Sequence, residues 1–196
     1  MNDSTAPTGA SVASSGVTVL TEQDMARALT RIAHEIVEKN DGAADIVVLG
    51  IPTRGVPLAQ RLADRLADID PDFDAAAGLG QLDITMYRDD LRNNPTRTLG
   101  VTRLPAVGID DRTVVLVDDV LYSGRTIRAA LDAISDLGRP RAVRLATLVD
   151  RGHRDLPIRP DYVGKNLPTA SSERVKVHLR EIDGTDDVII TGRTEK

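Results

Sequence analysis

The chain has 196 residues and a formal net charge of −5, with 41% hydrophobic but only 2% aromatic residues and no cysteine. This length suits one compact α/β domain with an aliphatic core, and the lack of cysteine excludes disulfides, a thiol nucleophile and a cysteine-based zinc site. No apolar run approaches the ~20 residues of a membrane span, and the N-terminus lacks the order of a signal peptide, so the sequence predicts a cytoplasmic protein without a membrane partner.

The N-terminal region changes character near residue 17. Residues 1–16 are small or polar without periodicity, which predicts a flexible tail, and residues 17–196 read as a single domain. Residues 17–20 predict a short strand. Thr21 is a plausible N-cap for a helix over about 22–39, where apolar residues recur at helical spacing.

The next segments alternate between strand and helix patterns. Residues 46–49 are uniformly apolar, as in a strand covered on both faces, and residues 57–69 repeat leucine at every fourth position, as in a helix. Residues 82–86 predict another strand. Little regular pattern follows from 89 to 111, and so long an irregular stretch inside a compact domain is usually functional or mobile.

The second half of the chain continues the alternation. Residues 114–117 predict a strand, 127–137 a helix and 142–149 a strand, so the fold class is α/β, with a doubly wound parallel sheet flanked by helices. Residues 150–175 are rich in Pro, Gly and charge and read as a loop-built cap, with cap elements over about 150–180. Two late strands are predicted as well, at residues 175–179 and 188–190.

Residues 114–126, with the sequence VVLVDDVLYSGRT, are the most informative part of the chain. A buried strand ends at Asp118 and Asp119, and a glycine-containing, hydroxyl-rich turn then opens a helix. The amides of residues 122–126 would cradle a phosphate at the helix N-terminus, while the two carboxylates would accept hydrogen bonds from sugar hydroxyls or hold Mg²⁺ through water. This combination favours a sugar-phosphate site over an ordinary acid-capped turn, and the absence of Gly-x-x-x-x-Gly-Lys excludes a P-loop.

Four polar segments follow predicted strands and are candidates for one active site. They are residues 50–55, 87–90, 118–126 and 150–153. Ligands in open α/β sheets bind at the carboxyl ends of the strands, so we expect these segments, although separate in sequence, to converge in space.

The 114–126 segment resembles the 5-phosphoribosyl-1-pyrophosphate (PRPP) motif of type I phosphoribosyltransferases. Residues 27–34 (RALTRIAH), 83–91 (DITMYRDDL) and 149–166 (VDRGHRDLPIRPDYVGKN) closely resemble the PyrR family of bacterial pyrimidine operon attenuators, which are also uracil phosphoribosyltransferases. The resemblance covers roughly residues 17–190. It implies the type I phosphoribosyltransferase fold with a small cap or hood.

The resemblance also implies roles for individual residues. Asp118 and Asp119 would hold the ribose hydroxyls of PRPP and the accompanying Mg²⁺, and Thr53 and Arg54 would hold the pyrophosphate in a loop where family members often carry a non-proline cis peptide. Arg88 could swing over the pyrophosphate and so assist catalysis. The residues implied to bind the 5-phosphate are Val120, Leu121, Tyr122, Ser123, Gly124, Arg125 and Thr126.

The base site departs from part of the wider family. Arg151 is implied to contact the nucleotide, and main-chain groups of residues 162–163 or of the strand at Val175 are implied to read the uracil edge. Many purine-type relatives carry an Asp three residues after the acidic pair, where this chain has Tyr122. A carboxylate base at that position is therefore in doubt, and Asp150 is left as a fallback base or a purely structural residue.

A second surface is expected on the first helix, where four polar residues share a face at i, i+3, i+4 and i+7. By itself this pattern is typical of a solvated helix face. In the PyrR family, however, matching residues help to bind leader mRNA, and dimerisation joins two such faces, which implies a homodimer or a higher homo-oligomer. The four helix residues are Arg27, Thr30, Arg31 and His34, and three cap residues, Arg154, Arg159 and Lys165, add positive charge to the implied RNA-binding set.

The function implied by the resemblance is double. The chain would bind leader mRNA of pyrimidine genes in response to UMP, and it would make UMP and diphosphate from uracil and PRPP. Two alternatives remain open at this point: a salvage phosphoribosyltransferase without an RNA role, perhaps for a purine base, and a catalytically silent nucleotide-sensing RNA-binding protein.

Overall fold

The structure is a computed structural model that describes residues 16–89 and 100–192. The predicted tail therefore lies outside the described residues except for Gly16, and so does the part of the irregular stretch from 90 to 99. Within the described ranges, no helix is long and apolar enough to cross a lipid bilayer.

A five-stranded parallel sheet with the strand order β3-β2-β4-β5-β6 forms the centre of the molecule. The predicted parallel sheet of an α/β fold is therefore confirmed. The strands are β2 (Ile46–Gly50), β3 (Leu79–Gln81), β4 (Thr113–Leu121), β5 (Ala142–Asp150) and β6 (Tyr162–Asn166).

Helices cover both faces of this sheet, as the uniformly apolar strand pattern predicts. Alternate residues of β2 enter different layers: Val48 packs in the cluster that contains the helices at residues 22–39 and 55–69, whereas Val47 and Leu49 pack in the cluster that contains the helix at residues 125–137. The helices are α1 (Glu22–Lys39), α2 (Gly55–Ile69), α3 (Ala75–Gly78), α4 (Arg125–Leu137) and α5 (Arg180–Asp183).

The predicted N-cap of α1 is confirmed. The Asp24 amide donates to Thr21 Oγ1 at 3.3 Å, and the Thr21 amide donates to Asp24 Oδ2 at 3.0 Å. This reciprocal pair is a capping box, which satisfies two donors that the helix itself leaves without partners. The start of α1 is thus set by local side-chain chemistry.

A second, antiparallel sheet has the order β1-β8-β7 and joins the two ends of the chain. Its strands are β1 (Val17–Thr21), β7 (Arg174–His178) and β8 (Asp187–Thr191), in agreement with the three strands predicted there. We call this sheet together with α5 the hood. It is anchored because Val177, Leu179 and Val188 pack in the core cluster of α1 and α2.

The strand predicted at residues 82–86 is wrong. The strand lies earlier, at Leu79–Gln81, and Thr85–Tyr87 forms a single 3₁₀ turn. The Asp83 side chain accepts hydrogen bonds from the amide and the hydroxyl of Thr85 at 3.1 and 2.6 Å, and such local bonds compete with strand pairing.

The loop predicted over residues 150–175 is wrong for Tyr162–Asn166, which forms β6 at the edge of the central sheet. Only Tyr162 and Gly164 of this strand are buried. With so few apolar positions, its sequence carries almost no strand pattern. Pairing with β5 determines its structure.

Close packing of α2 against the end of β4 requires glycine at position 55. A Cβ atom on Gly55 would overlap the carbonyl oxygen of Val117 and would lie 3.4 Å from Asp118 Cα. The start of α2 therefore touches the backbone of the acidic pair, and any side chain there would separate the two elements.

We predict that Gly55→Ala lowers the free energy of unfolding by about 1–3 kcal/mol, the usual cost of overpacking a well-packed site. Urea unfolding followed by circular dichroism measures this change. Gly192→Ala is the matched control, because no described atom lies within 4 Å of the added methyl group. Equal stabilities of the two variants would contradict the close approach of α2 to β4.

Candidate active site

The loops that leave β2, β4 and β5 lie side by side at the carboxyl edge of the central sheet. The Ile51 amide, just after β2, donates to Val117 O on β4 at 3.0 Å. The Arg151 amide, just after β5, donates to Leu121 O on β4 at 3.1 Å. Two of the four segments that we expected to converge thus flank a third, which contains the end of β4.

The acidic pair ends the central strand with little contact to solvent. Asp118 is only 9% exposed and Asp119 is half-buried. Asp118 Oδ1 accepts from the Asp119 amide at 3.0 Å, and Asp119 Oδ1 accepts from the Val120 amide at 2.8 Å. These local bonds orient both carboxylates at the strand end.

Burial raises the pKa of Asp118 well above its ordinary value, and the neighbouring carboxylate of Asp119 raises it further, while the charge of Arg88 acts in the opposite direction. Burial also raises the pKa of Asp119, against the Val120 amide and the charge of Arg54. In the free site, burial therefore disfavours ionisation of both carboxyls, and the nearby cations do not fully offset this effect. Hydroxyl donors or a cation from a ligand would favour the ionised pair.

The acidic pair fits a magnesium ion that arrives with a phosphate-bearing substrate. Mg²⁺ is usually bound by one or two carboxylates together with water and substrate phosphates, and Asp118 and Asp119 supply that number. Residues 16–89 and 100–192 contain no group of three or more His, Cys, Asp or Glu that could hold a metal ion by itself.

The turn after β4 presents backbone donors to a polar cavity. Gly124 has φ +92°, a left-handed conformation that favours glycine, and it precedes α4 without any side-chain cap. Among the amides of residues 122–126, the only contact with a described acceptor is that of Arg125 N with Ser123 Oγ at 3.4 Å. An uncapped helix start of this kind binds anions well.

This cavity has a volume of about 250 Å³. Its lining contains both the phosphate-type turn and one of the two acids, so the structure brings together the two halves of the predicted motif. The lining residues are Arg88, Asp89, Asp118, Val120, Leu121, Tyr122, Ser123, Gly124, Arg125, Thr126 and Ile127.

Two arginines flank the cavity in different ways. Arg88 lines it and is close enough to Asp118 to lower the pKa of that carboxyl. Arg125 is exposed, and its guanidinium pairs with Asp89 at 3.0 Å and with Asp155 at 3.2 Å. Arg125 therefore links the segment after Arg88 to the loop after β5.

The loop between β2 and α2 carries Thr53 and Arg54. The Pro52–Thr53 peptide bond is cis. Arg54 extends from this loop to the hood, where its Nε donates to Val177 O at 2.6 Å and its side chain pairs with Asp183 at 2.9 Å. Sequence reasoning missed these hood contacts, because more than 120 positions separate the partners and no local pattern connects them.

Arg151, the first residue after β5, packs against Tyr122 of the cavity lining and is only 7% exposed. Its guanidinium lies 4.3 Å from the centre of the Tyr122 ring and donates to Thr169 Oγ1 at 3.1 Å and to Glu173 O at 2.9 Å. Arg151 thereby fixes the segment that leads into β7, which carries Val175, next to the turn after β4.

Asp150 and Arg154 form an ion pair at 2.6 Å. The other oxygen of Asp150 accepts from the Gly152 amide at 2.9 Å. Arg154 also donates to Tyr122 O and to Ile158 O, both at 2.9 Å. Both residues thus hold the loops together at this edge, which favours the structural role of Asp150 over its role as a base.

The expected polar face of α1 is exposed and adjoins β6. Arg31 donates to Val163 O at 3.0 Å and to Gly164 O at 2.5 Å, so the helix face and the strand form one surface. Lys165, the next residue of β6, is exposed on that strand. The other exposed residues of the expected set are Arg27, Thr30, His34 and Arg159.

Comparison with known proteins agrees with this geometry. The model of the phosphoribosyl transferase domain family matches residues 16–181. The bifunctional protein PyrR of Streptomyces coelicolor is 66% identical over 172 residues, which cover 88% of each chain. The bifunctional protein PyrR of Leifsonia xyli is 63% identical over 88% of this chain and 94% of its own.

Solved structures share the architecture at low identity. The hypoxanthine phosphoribosyltransferase of Trypanosoma cruzi superimposes with a TM-score of 0.66 at 18% identity, over 90% of this chain and 97% of its own. The hypoxanthine phosphoribosyltransferase of Staphylococcus aureus superimposes with a TM-score of 0.62 at 19% identity, over 91% of this chain and 92% of its own. These two structures establish the fold alone. The curated relatives and the matched domain show that the chain belongs to the PyrR family of proteins with a phosphoribosyl transferase domain.

Proposed function

We propose that this protein makes UMP and pyrophosphate from uracil and PRPP, and that it also binds leader mRNA of pyrimidine genes when UMP is present. One observation carries the enzymatic half. The acidic end of β4 and the uncapped start of α4 line the same cavity of about 250 Å³. Carboxylate acceptors for sugar hydroxyls and amide donors for a phosphate thus line one space, as a pentose 5-phosphate requires.

In the proposed complex, the two sides of the cavity bind opposite sides of the sugar. The amides of residues 122–126 and the hydroxyls of Ser123 and Thr126 donate to the 5-phosphate. Asp118 and Asp119 accept from the ribose hydroxyls. Fixing both ends of the ribosyl group in this way orients its anomeric carbon for attack, which is a large part of the rate gain in such transfers.

Charge stabilisation is the main catalytic task. Positive charge builds on the ribose ring and negative charge on the departing pyrophosphate as the uracil nitrogen approaches. The charge of Arg54 acts on Asp119 and that of Arg88 on Asp118, so both cations lie close to the acidic pair and can stabilise the leaving group. When Mg²⁺ is bound with PRPP, it adds positive charge at the same phosphates.

No carboxylate base is assigned in this proposal. Tyr122 occupies the position of the aspartate found in purine-type relatives, and both oxygens of Asp150 are occupied by Arg154 and Gly152. The uracil N1–H is comparatively acidic, so transfer needs little help from a base. The proposed uracil site lies beside Arg151 and the strand at Val175, where main-chain groups would read the base edge.

The first test is pyrophosphate release from PRPP and Mg²⁺ with uracil, hypoxanthine or guanine. Of the three bases, we expect only uracil to support pyrophosphate release. The rate of release should fall about 10²–10³-fold in Asp119→Asn, the scale seen when one preorganised polar group is removed from an active site. Asp132→Asn on the exposed surface of α4 is the matched control and should retain activity.

The two rival functions give different results in this assay. Turnover with a purine base would support a salvage enzyme. No turnover with any base would support a nucleotide-sensing protein without catalysis. Either result would contradict the enzymatic half of the proposal.

The raised pKa of Asp118 gives a stability test with a defined sign. A carboxyl whose folded pKa is raised contributes stability below its ordinary pKa of 3.8, and that stability is lost as the pH rises through the folded value. At pH 7, the free energy of unfolding of Asp118→Asn should therefore be about 1 kcal/mol higher than that of the parent, within the usual range for relief of a destabilised functional site. The difference should vanish near pH 3.

Denaturant unfolding of the ligand-free protein across this pH range measures the difference. Asp132→Asn again serves as control and should change stability by less than about 0.5 kcal/mol at either pH, as is usual for surface substitutions. A variant Asp118→Asn that is less stable than the parent at pH 7 would contradict the unfavourable burial of the acidic pair.

The regulatory half of the proposal assigns RNA to the surface formed by α1 and β6, which we call the RNA face. It consists of Arg27, Thr30, Arg31, His34 and Lys165, with Arg159 and Arg154 in the neighbouring loop. A net charge of −5 does not oppose this assignment, because binding requires only a local positive surface. The resemblance to PyrR proteins supports it, and it also supports a homodimer or higher homo-oligomer in the cytoplasm that joins two such faces.

Lys165→Ala should weaken binding of a leader hairpin and reduce the slope of log affinity against log salt by about 1, the value expected when one phosphate contact is lost. UMP should tighten RNA binding by the parent protein. Filter binding with and without UMP measures both effects. Arg128→Ala, an exposed arginine on α4, is the matched control.

Pyrophosphate release should be the same in Lys165→Ala and in the parent, because the substitution is outside the proposed catalytic cavity. An RNA affinity that does not respond to UMP would remove the regulatory half. Parallel losses of RNA binding and turnover in Lys165→Ala would contradict the assignment of two separate surfaces.

A further inference from the structure

Arg54 connects the loop after β2 to the hood through three hydrogen bonds. Its Nε donates to Val177 O on β7 at 2.6 Å, and its NH2 group donates to Asp183 Oδ1 at 2.9 Å and Oδ2 at 3.2 Å. The Arg54 side chain is 33% exposed and that of Asp183 is 22% exposed. The contact is thus partly shielded from solvent, where ion pairs are stronger than at an open surface.

Asp183 is itself held in place by the hood. Its Oδ2 accepts from the Leu179 amide at 2.9 Å, and its own amide donates to Leu179 O at 2.6 Å. Leu179 is fully buried in the core cluster. The bond from the Leu179 amide lowers the pKa of Asp183 below its ordinary value, and the charge of Arg54 adds to this. Asp183 is therefore an ionised and well-anchored partner for Arg54.

The contacts with the hood leave part of the Arg54 guanidinium available. Arginine has five N–H donors in a rigid fork. Val177 O occupies the Nε donor and Asp183 occupies the NH2 group, whereas NH1 contacts no acceptor among the described residues. Gly55, the residue after Arg54, lies against the backbone of Val117 and Asp118, so Arg54 is next to the acidic end of β4 while the hood holds its guanidinium.

We propose that Asp183 is a positioning residue that, together with the Val177 carbonyl, holds the Arg54 guanidinium so that its NH1 donors meet the pyrophosphate of PRPP. This inference rests on the proposed function, because it takes Arg54 as a pyrophosphate ligand. The hood then contributes to catalysis through Arg54, from a residue that does not itself touch the substrate.

This role distinguishes ligands that contain pyrophosphate from those that do not. PRPP and free pyrophosphate both need Arg54 in position, whereas uracil and UMP have no group at that place. Loss of Asp183 should therefore weaken the binding of PRPP and pyrophosphate only. If Asp183 had a purely structural role in the hood, its loss would weaken the binding of all four ligands together, or of none.

The test is the substitution Asp183→Asn in the full chain. The asparagine oxygen can still accept from the Leu179 amide, but its neutral amide replaces a charge-assisted partner of Arg54. We expect the KM for PRPP, and that for pyrophosphate in the reverse reaction, to rise about tenfold, as for loss of one charged hydrogen bond. The KM for uracil and the Kd for UMP should stay within about twofold of the parent.

Asp186→Asn is the matched control. Asp186 forms an ion pair with Arg61 at 2.7 Å near the same end of the hood, but it has no contact with Arg54. This variant removes the carboxylate partner of a different arginine, Arg61 of α2, and should leave the KM for PRPP unchanged. Unfolding midpoints of both variants show whether the hood remains folded.

A second substitution keeps the test decisive if Asp183→Asn does not fold. Asp183→Glu retains the charge but displaces it by one methylene group, so PRPP should bind about threefold more weakly while UMP binding is unchanged. Unchanged PRPP affinity in the folded variants would overturn the inference. Tighter PRPP binding would also overturn it, because Asp183 would then compete with pyrophosphate for Arg54.

Arg54→Lys separates this inference from the proposed function. If Arg54→Lys leaves the KM for PRPP unchanged, the pyrophosphate role of Arg54 in the proposed function is wrong. If Arg54→Lys weakens PRPP binding and the Asp183 variants do not, the proposed function stands and only the positioning role of Asp183 is wrong.

Discussion

The structure around the carboxyl edge of the sheet depends on two neighbouring carboxylates that the fold keeps away from water. Burial and mutual repulsion raise the pKa of Asp118, which means that the ligand-free fold is less stable for having them ionised. Nearby features partly offset this cost. The charges of Arg88 and Arg54 favour the ionised forms of Asp118 and Asp119, and the close approach of α2 at Gly55 brings Arg54 near the pair. A site that is unfavourable when empty gains most from a ligand with hydroxyl donors and a cation.

Local patterns predicted what local interactions determine. The capping box at Thr21, the apolar period of α1 and the strand-to-helix motif at residues 114–126 are each decided within a few positions, and each was predicted from the sequence. Strand β6 was missed because its pairing with β5, and not its own apolar pattern, makes it a strand. The contact of Arg54 with Asp183 was missed for the same reason, since it exists only after the hood has packed on the core.

A chain of hydrogen bonds connects the cavity at the end of β4 to the loop beside the proposed RNA face. Arg154 donates to Tyr122 O in the turn that lines the cavity, and also to Ile158 O in the following loop, while Asp150 holds its guanidinium at the end of β5. A ligand that shifts this turn would therefore disturb Arg154. Such coupling would be reciprocal: if UMP tightens RNA binding as proposed, RNA tightens UMP binding by the same factor.

The carboxylate partners of the arginines explain how a protein with a net negative charge could bind the anionic ligands proposed for it. Arg125 pairs with Asp89 and Asp155, and Arg54 pairs with Asp183. These acids neutralise charge, but they also fix the guanidinium groups, and a fixed donor loses less conformational entropy when a phosphate binds. An arginine guanidinium is a planar fork of donors, so one edge can stay bonded to the protein while the other edge faces the ligand. Lysine could not fill this role, because its single ammonium group lacks such a fork. The acidic balance of the chain is therefore compatible with phosphate binding, since part of it serves to order the cations.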